Sequence, residues 1–150
     1  MEERRLAMHI SQKCSVALHC LIFINEYGDS ANVTSSLLAK STGCNPVIIR
    51  NLLSGLKKAG MISTQSGVGN TKLVKQPEDI TLYDICNAID PDGMRNLFGI
   101  HASPAAACPV GRNIHNILQE PYGMIQENFT ESLKSIRLDS IINHFHEVSR

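Results

Sequence analysis

The fold is decided by the stretch NPVIIRNLLSGLKKAG, residues 45–60. Its apolar residues recur at steps of three and four, which is the spacing of a helix with one buried face. Asn45 is suited to cap that helix, and Pro46 fits its first position, where a backbone N–H would have no partner. Gly60 is suited to end it. The residues expected in its core are Ile48, Ile49, Leu52, Leu53 and Leu56.

A shorter helix is expected just before this one, over residues 35–41, with Thr34 as its cap. A helix–turn–helix needs a small residue in its first helix, a turn residue that tolerates positive φ, and apolar anchors in its second helix. The residues that meet these needs are Ala39, Gly43, Ile49 and Leu52. The pattern predicts a helix–turn–helix, preceded by another helix over residues 11–27.

Two short extended runs, Met61–Gln65 and Lys72–Lys75, follow the helix–turn–helix. The segment Ser66–Asn70 between them contains two glycines, which predicts a β-hairpin. Farther on, Thr81 is suited to cap another helix. Residues 90–110 contain three prolines and are expected to form a loop with one helical turn.

The last third of the chain carries a heptad-like seam, which is typical of a helix that packs along another helix. The seam consists of Leu118, Tyr122, Ile125, Phe129, Leu133 and Ile136. Pro121 lies inside it and is expected either to kink the helix or to mark the start of a second segment. Residues 139–145 are expected to form a short terminal helix.

The predicted fold class is therefore mainly α with a small β-hairpin wing. We expect a winged helix-turn-helix over residues 1–90 and a loop over residues 91–110 that is a candidate sensing region. A long dimerisation helix and a short terminal helix are expected over residues 111–150.

The charge of the chain is unevenly distributed although its net value is zero. Residues 1–76 carry nine Lys and Arg against four Asp and Glu, whereas residues 77–150 carry five against ten. A basic half predicts a nucleic-acid-binding face, and two unrelated solvated surfaces are the alternative explanation. No run approaches the ~20 apolar residues of a membrane span, and no signal peptide is recognisable. We expect a cytoplasmic protein without a membrane partner.

Two polar residues at the start of the predicted second helix suit base recognition. Arg50 can pair with guanine and Asn51 with adenine through two hydrogen bonds each. A phosphate contact is the alternative for Arg50. These features predict a DNA-binding transcription regulator. The alternative is a winged-helix module that binds protein without specific DNA binding.

Other classes of function find little support. Five cysteines occur without any CxxC pair, so neither a disulfide framework nor a structural zinc site is expected. No nucleophile elbow or phosphate-binding glycine loop is present, so an enzyme is not expected.

Five segments resemble the Rrf2 family of bacterial transcription regulators. They are His9–Lys13, residues 45–60, Glu78–Ile89, Cys108–Ile114 and Ser135–Ile142. The resemblance covers nearly the whole chain. It implies a homodimer that binds a roughly palindromic operator in double-stranded DNA, usually as a repressor. It also implies dimerisation through the long helix, here about Val110–Lys134.

The resemblance further implies DNA contacts at the start of the first helix, at the start of the recognition helix and in the wing. Carried onto this chain, these are Ser11, Gln12, Asn45, Pro46, Val47, Arg50, Asn51, Ser66, Gly67, Val68, Gly69 and Asn70. Family members often have Arg at the position of Ser66 and Tyr at that of Lys72. The departure implies that this wing contributes mainly backbone contacts.

Iron–sulfur members of the family hold a [2Fe–2S] cluster through three cysteines before the long helix and a fourth ligand at its start. Between residues 90 and 120 this chain has one cysteine, Cys108, together with His101 and His115, and the helical ligand position falls near Gln119. We therefore expect no cofactor and no metal.

Cys108 is instead a candidate redox sensor, because it lies in the loop that joins the DNA-binding and dimerising parts. A packing thiol is the alternative role for Cys108. The sequence leaves open a thiol switch, a small-molecule effector and constitutive binding.

Overall fold

The computed structural model describes residues 9–65 and 67–150, without the side chains of residues 9–11. The helices of its N-terminal half are α1 (His9–Tyr27), α2 (Ser35–Thr42) and α3 (Pro46–Lys58), followed by strands β1 (Ile62–Gln65) and β2 (Gly69–Leu73). A 3-10 turn (Pro77–Asp79) leads to α4 (Leu82–Ile89), α5 (Pro91–Arg95), α6 (Pro109–Ser135) and α7 (Leu138–Val148). The predicted fold class, mainly helical with a hairpin wing, is confirmed. No helix in these ranges is long and apolar enough to cross a membrane.

Local hydrogen bonds fix the corner between α2 and α3. The Thr34 hydroxyl accepts a hydrogen bond from the Leu37 N–H at 3.1 Å, which caps α2. Gly43 ends α2 with φ of 70°, a left-handed conformation in which a residue with a side chain is strained. The Asn45 side chain accepts from the Val47 N–H at 2.8 Å and caps α3, with Pro46 at the first helical position. The anchors Ala39, Ile49 and Leu52 are buried, as the helix–turn–helix requires.

Ile48 departs from the prediction. The core face of α3 consists of Ile49, Leu52, Leu53 and Leu56, whereas Ile48 is 50% exposed. The expectation that Ile48 is a core residue is therefore wrong. Ile48 lies at the edge of the apolar stripe and in the first turn of α3, where neighbouring residues are also exposed.

The loop that connects the two strands of the hairpin is shorter than predicted. Strands β1 and β2 are antiparallel, with Ile62 opposite Leu73 and Gln65 opposite Gly69. The second strand thus begins at Gly69 and not at Lys72. The register shifts between Ser63 and Gln65, which accommodates the tight connection.

The terminal helix α7 completes the core of the N-terminal half. Leu138 and Ile142 are buried in the same cluster as residues of α1 to α4. The Leu138 N–H donates to the Ile80 carbonyl at 2.8 Å, and the Leu82 N–H donates to the Ile136 carbonyl at 2.8 Å. These two bonds join the chain at the start of α4 to the chain at the start of α7.

The long helix α6 is continuous through Pro121, so no second segment begins there. One side of α6 packs against its own chain. The Gln126 amide donates to the Met94 carbonyl at 2.7 Å, and the Phe98 and Tyr122 rings lie 5.2 Å apart. None of the 27 residues of α6 is buried. The predicted turn in the preceding loop is the short helix α5, which Asp90 caps through the Gly93 N–H.

Candidate nucleic-acid interface

The first turn of α3 is exposed to solvent, whereas the core face of the same helix is buried. Asn45, Pro46, Arg50 and Asn51 are all exposed, as are Val47 (53%) and Ile48 (50%). Exposed polar groups at the start of a recognition helix can bond base edges, and apolar groups can contact the methyl of thymine. The sequence did not lead us to predict Ile48 as a DNA contact, although its position at the edge of the apolar stripe indicates that it could be exposed.

Asn32 holds the wing in place, which the sequence did not predict. Its amide donates to the Val68 carbonyl at 2.8 Å, and its carbonyl accepts from the Asn70 N–H at 2.6 Å. Asn70 has φ of 50°, a conformation that Asn tolerates better than most residues. A Cβ at Gly69 would lie 2.8 Å from the Thr34 methyl, so a side chain there requires Thr34 to shift. The wing is therefore anchored to the segment that precedes α2.

The remaining residues predicted to contact DNA lie on other elements than α3. Gln12 is exposed near the start of α1, and Gly67 and Val68 are exposed at the tip of the wing. The side chain of Ser11 and the whole of Ser66 lie outside the described residues. Within the described ranges, no hydrogen bond or ion pair connects Gln12, the start of α3 and the wing to one another.

The basic residues of this half divide into paired and unpaired side chains. Lys13 lies 3.7 Å from Asp90, and Lys72 lies 3.4 Å from Asp29. The exposed side chains of Arg50, Lys57 and Lys58 form no salt bridge in the part of the chain that the structure describes. Unpaired surface cations are available to neutralise phosphates.

Cys108 is exposed and occupies the N-cap position of α6, where its side chain makes no capping hydrogen bond. The nearby backbone N–H groups of Gly111 and Val110 at the start of α6 favour the thiolate and lower the pKa of this thiol. Cys20 behaves oppositely, because burial and the nearby Cys44 raise its pKa to about 12. Cys108 is therefore ionised more easily than Cys20, and the thiolate is the reactive form.

Cys14 of α1 and Cys86 of α4 are joined by a disulfide. The sequence predicted no disulfide framework, and this single bridge between Cys14 and Cys86 was not predicted. The two residues lie 72 positions apart, and the sequence spacing gives no sign that α1 and α4 pack side by side. Their Cα atoms are 5.5 Å apart, within the usual range for a disulfide.

Among the residues that the structure describes, no three or more His, Cys, Asp or Glu side chains lie close enough together to hold a metal ion. Cys108 is the one cysteine of the loop before α6, and Cys14 and Cys86 are bonded to each other. This donor set does not fit an iron–sulfur cluster, which is usually held by four cysteine thiolates.

The chain matches the model of the Rrf2 family, described as iron-dependent transcriptional regulator, over residues 10–144. The donor set above does not fit the iron of that description. The chain is also 33% identical over 135 residues to the "Putative HTH-type transcriptional regulator YwnA" of Bacillus subtilis strain 168. The match covers 90% of this chain and 98% of YwnA.

Solved structures share the fold. A chain titled "Crystal structure of a putative DNA binding protein" is 31% identical with a TM-score of 0.70, and the match covers 87% of this chain and 98% of that one. A "putative transcriptional regulator from Lactobacillus plantarum" is 24% identical with a TM-score of 0.74, and covers 89% of each chain. The family model and YwnA are both described as transcriptional regulators. The chain belongs to the Rrf2 family and is a DNA-binding transcription regulator with a winged helix-turn-helix.

Proposed function

We propose that this regulator binds a roughly palindromic promoter operator as a homodimer and represses transcription. The observation that carries the proposal is the exposed first turn of α3, which stands on the buried anchors Ile49 and Leu52. A helix start fixed in this way can enter the major groove with little reorganisation.

The proposed contacts fall into three groups. Asn45, Pro46, Val47, Arg50 and Asn51 of α3 meet base edges, joined by Ile48. The wing, from Ser66 to Asn70, contributes backbone groups held in place by Asn32. Ser11 and Gln12 at the start of α1 contact the phosphate backbone.

The proposed dimer forms through α6. Val110, Ile117 and Met124 recur at seven-residue steps on one side of this helix, and Ile117 is 56% exposed. Ile125 lies beside them and is also exposed. An apolar stripe along a long exposed helix indicates a protein interface, and two copies of α6 can cover each other around a two-fold axis.

The function is tested by fluorescence anisotropy on DNA from upstream of the gene for this protein, across a salt series. Several phosphate contacts make the logarithm of the affinity fall linearly and steeply with the logarithm of salt concentration. Scrambled DNA of the same length is the control and is expected to bind much more weakly. If selection from genomic DNA also recovers no preferred sequence, the proposed operator function is wrong.

Arg50→Ala is expected to weaken operator binding by ~1–3 kcal/mol, which is roughly 5- to 150-fold, because a bidentate contact with guanine is lost. Lys57→Ala is the matched control, since it removes an exposed cation from the other end of α3. That control is expected to weaken operator and scrambled DNA alike and to lower the salt slope by ~1. An unchanged operator affinity for Arg50→Ala would remove its role in recognition.

We also propose that Cys108 makes the regulator responsive to thiol-modifying oxidants. A single exposed thiol of lowered pKa suits exchange with a low-molecular-weight disulfide, which leaves a mixed disulfide at the start of α6. Cys108→Ser is expected to keep full DNA affinity but to lose any response to oxidised glutathione. Mass spectrometry of the modified peptide and anisotropy check this expectation. A response retained by Cys108→Ser would exclude Cys108 as its site.

A further inference from the structure

The buried pair Cys14–Cys86 has no part in the proposed DNA contacts or in the exposed stripe of α6. Both residues are almost fully buried. Both also line a cavity of about 950 Å³ that is bordered by α1 and by Phe129 and Leu133 of α6. A small oxidant that enters this largely apolar cavity can therefore approach their sulfur atoms.

The compartment in which the pair works indicates how it is used. A regulator that binds chromosomal DNA acts in a reducing cytoplasm, where structural disulfides are rare and the known ones are usually transient. We propose that Cys14 and Cys86 form a reversible dithiol–disulfide pair that peroxides oxidise, and that the oxidised form binds the operator more weakly. The second half of this proposal rests on the proposed function.

The reaction balances with a peroxide as the only oxidant. One cysteine, as thiolate, attacks the peroxide oxygen and becomes a sulfenic acid, and the leaving hydroxide takes up a proton to form water. The second thiol attacks the sulfenic sulfur, forms the S–S bond and releases a second water. Two electrons pass from the two sulfur atoms to hydrogen peroxide. A dithiol reductant reverses the change by exchange.

The location of the pair connects it to both parts of the regulator. Cys14 lies two residues after Gln12 in α1, and Cys86 lies in α4. Their small buried cluster also receives Leu133 from α6. The disulfide ties α1 to α4 at this point and restricts the distance between them. We expect this added constraint to alter how the DNA-binding elements sit on α6, and the two recognition helices of a dimer must match half-sites ~34 Å apart.

The test uses the full-length Cys108→Ser protein, so that the exposed thiol takes no part. Reduced protein is treated with hydrogen peroxide and then with dithiothreitol. We expect peptide mapping to show Cys14 linked to Cys86, and Tm to rise by roughly 5–15 °C because the bond closes a long loop. Operator affinity should fall by about tenfold or more, and dithiothreitol should reverse all three changes.

Two further variants in the same background, Cys14→Ala and Cys86→Ala, should lose all three responses. Cys44→Ala is the matched control and should keep them. Failure to form the linked peptide, or a link that dithiothreitol does not open, would overturn the proposal. A link that forms and opens without changing operator affinity would also overturn it as a switch. If reduced protein binds no operator at all, the proposed function fails, and the linked peptide and Tm alone decide whether the pair is reversible.

Discussion

Ile117→Asp is expected to convert the regulator from a dimer to a monomer and to lower its operator affinity by about 100-fold or more. Ile117 lies in the middle of the exposed apolar stripe of α6. A carboxylate there must lose its water when two helices pack together, and no cation of the stripe compensates for it. A monomer binds one half-site and loses the gain of 10²–10⁴ that linking two binding units provides.

Sedimentation at micromolar concentration and anisotropy on the full operator measure both effects. Asn116→Asp is the matched control, because it adds the same charge to the neighbouring position, which faces the polar side of α6 with Glu120 and Glu127. That control should remain dimeric and keep its affinity within about twofold. A dimeric Ile117→Asp protein would place the dimer interface elsewhere than on α6. A monomer with full operator affinity would show that dimerisation is not needed for binding.

The helix–turn–helix could be predicted because its signals are local. Thr34, Asn45 and Pro46 act on backbone groups within three positions of themselves, and Gly43 provides the left-handed turn within its own residue. Such interactions need no knowledge of the rest of the fold. The same holds for the capping box that Thr81 and Asp84 form at the start of α4.

The parts that could not be predicted depend on contacts between distant residues. Asn32 reaches the wing across 36 and 38 positions, and Cys14 meets Cys86 across 72. Periodicity assigned Ile48 to the core because it measures the side of a helix and not how far the core extends along it. The heptad seam of α6 also did not distinguish residues that pack within the chain from residues that remain exposed. Tyr122 contacts its own chain, whereas Ile125 remains exposed.

Leu138→Ala is expected to destabilise the whole N-terminal half, although residue 138 lies far beyond it in the sequence. The Leu138 side chain is fully buried in the main core cluster, beside residues of the helix–turn–helix. Truncating a buried Leu to Ala removes transferred apolar surface and leaves a cavity, at a cost of ~2–5 kcal/mol. For a domain of this size the expected fall in Tm is roughly 5–15 °C.

Val148→Ala is the matched control, because it shortens an exposed side chain at the other end of α7 and should change Tm by less than 2 °C. Thermal unfolding followed by circular dichroism measures both variants. Operator affinity of Leu138→Ala at low temperature should stay within a few-fold of the parent, because the folded molecules keep the exposed start of α3. A Tm unchanged by Leu138→Ala would mean that α7 contributes little to the stability of the N-terminal half. The helix–turn–helix would then owe its stability to α1–α4 alone, and the two backbone bonds, Leu138 to Ile80 and Leu82 to Ile136, would contribute little.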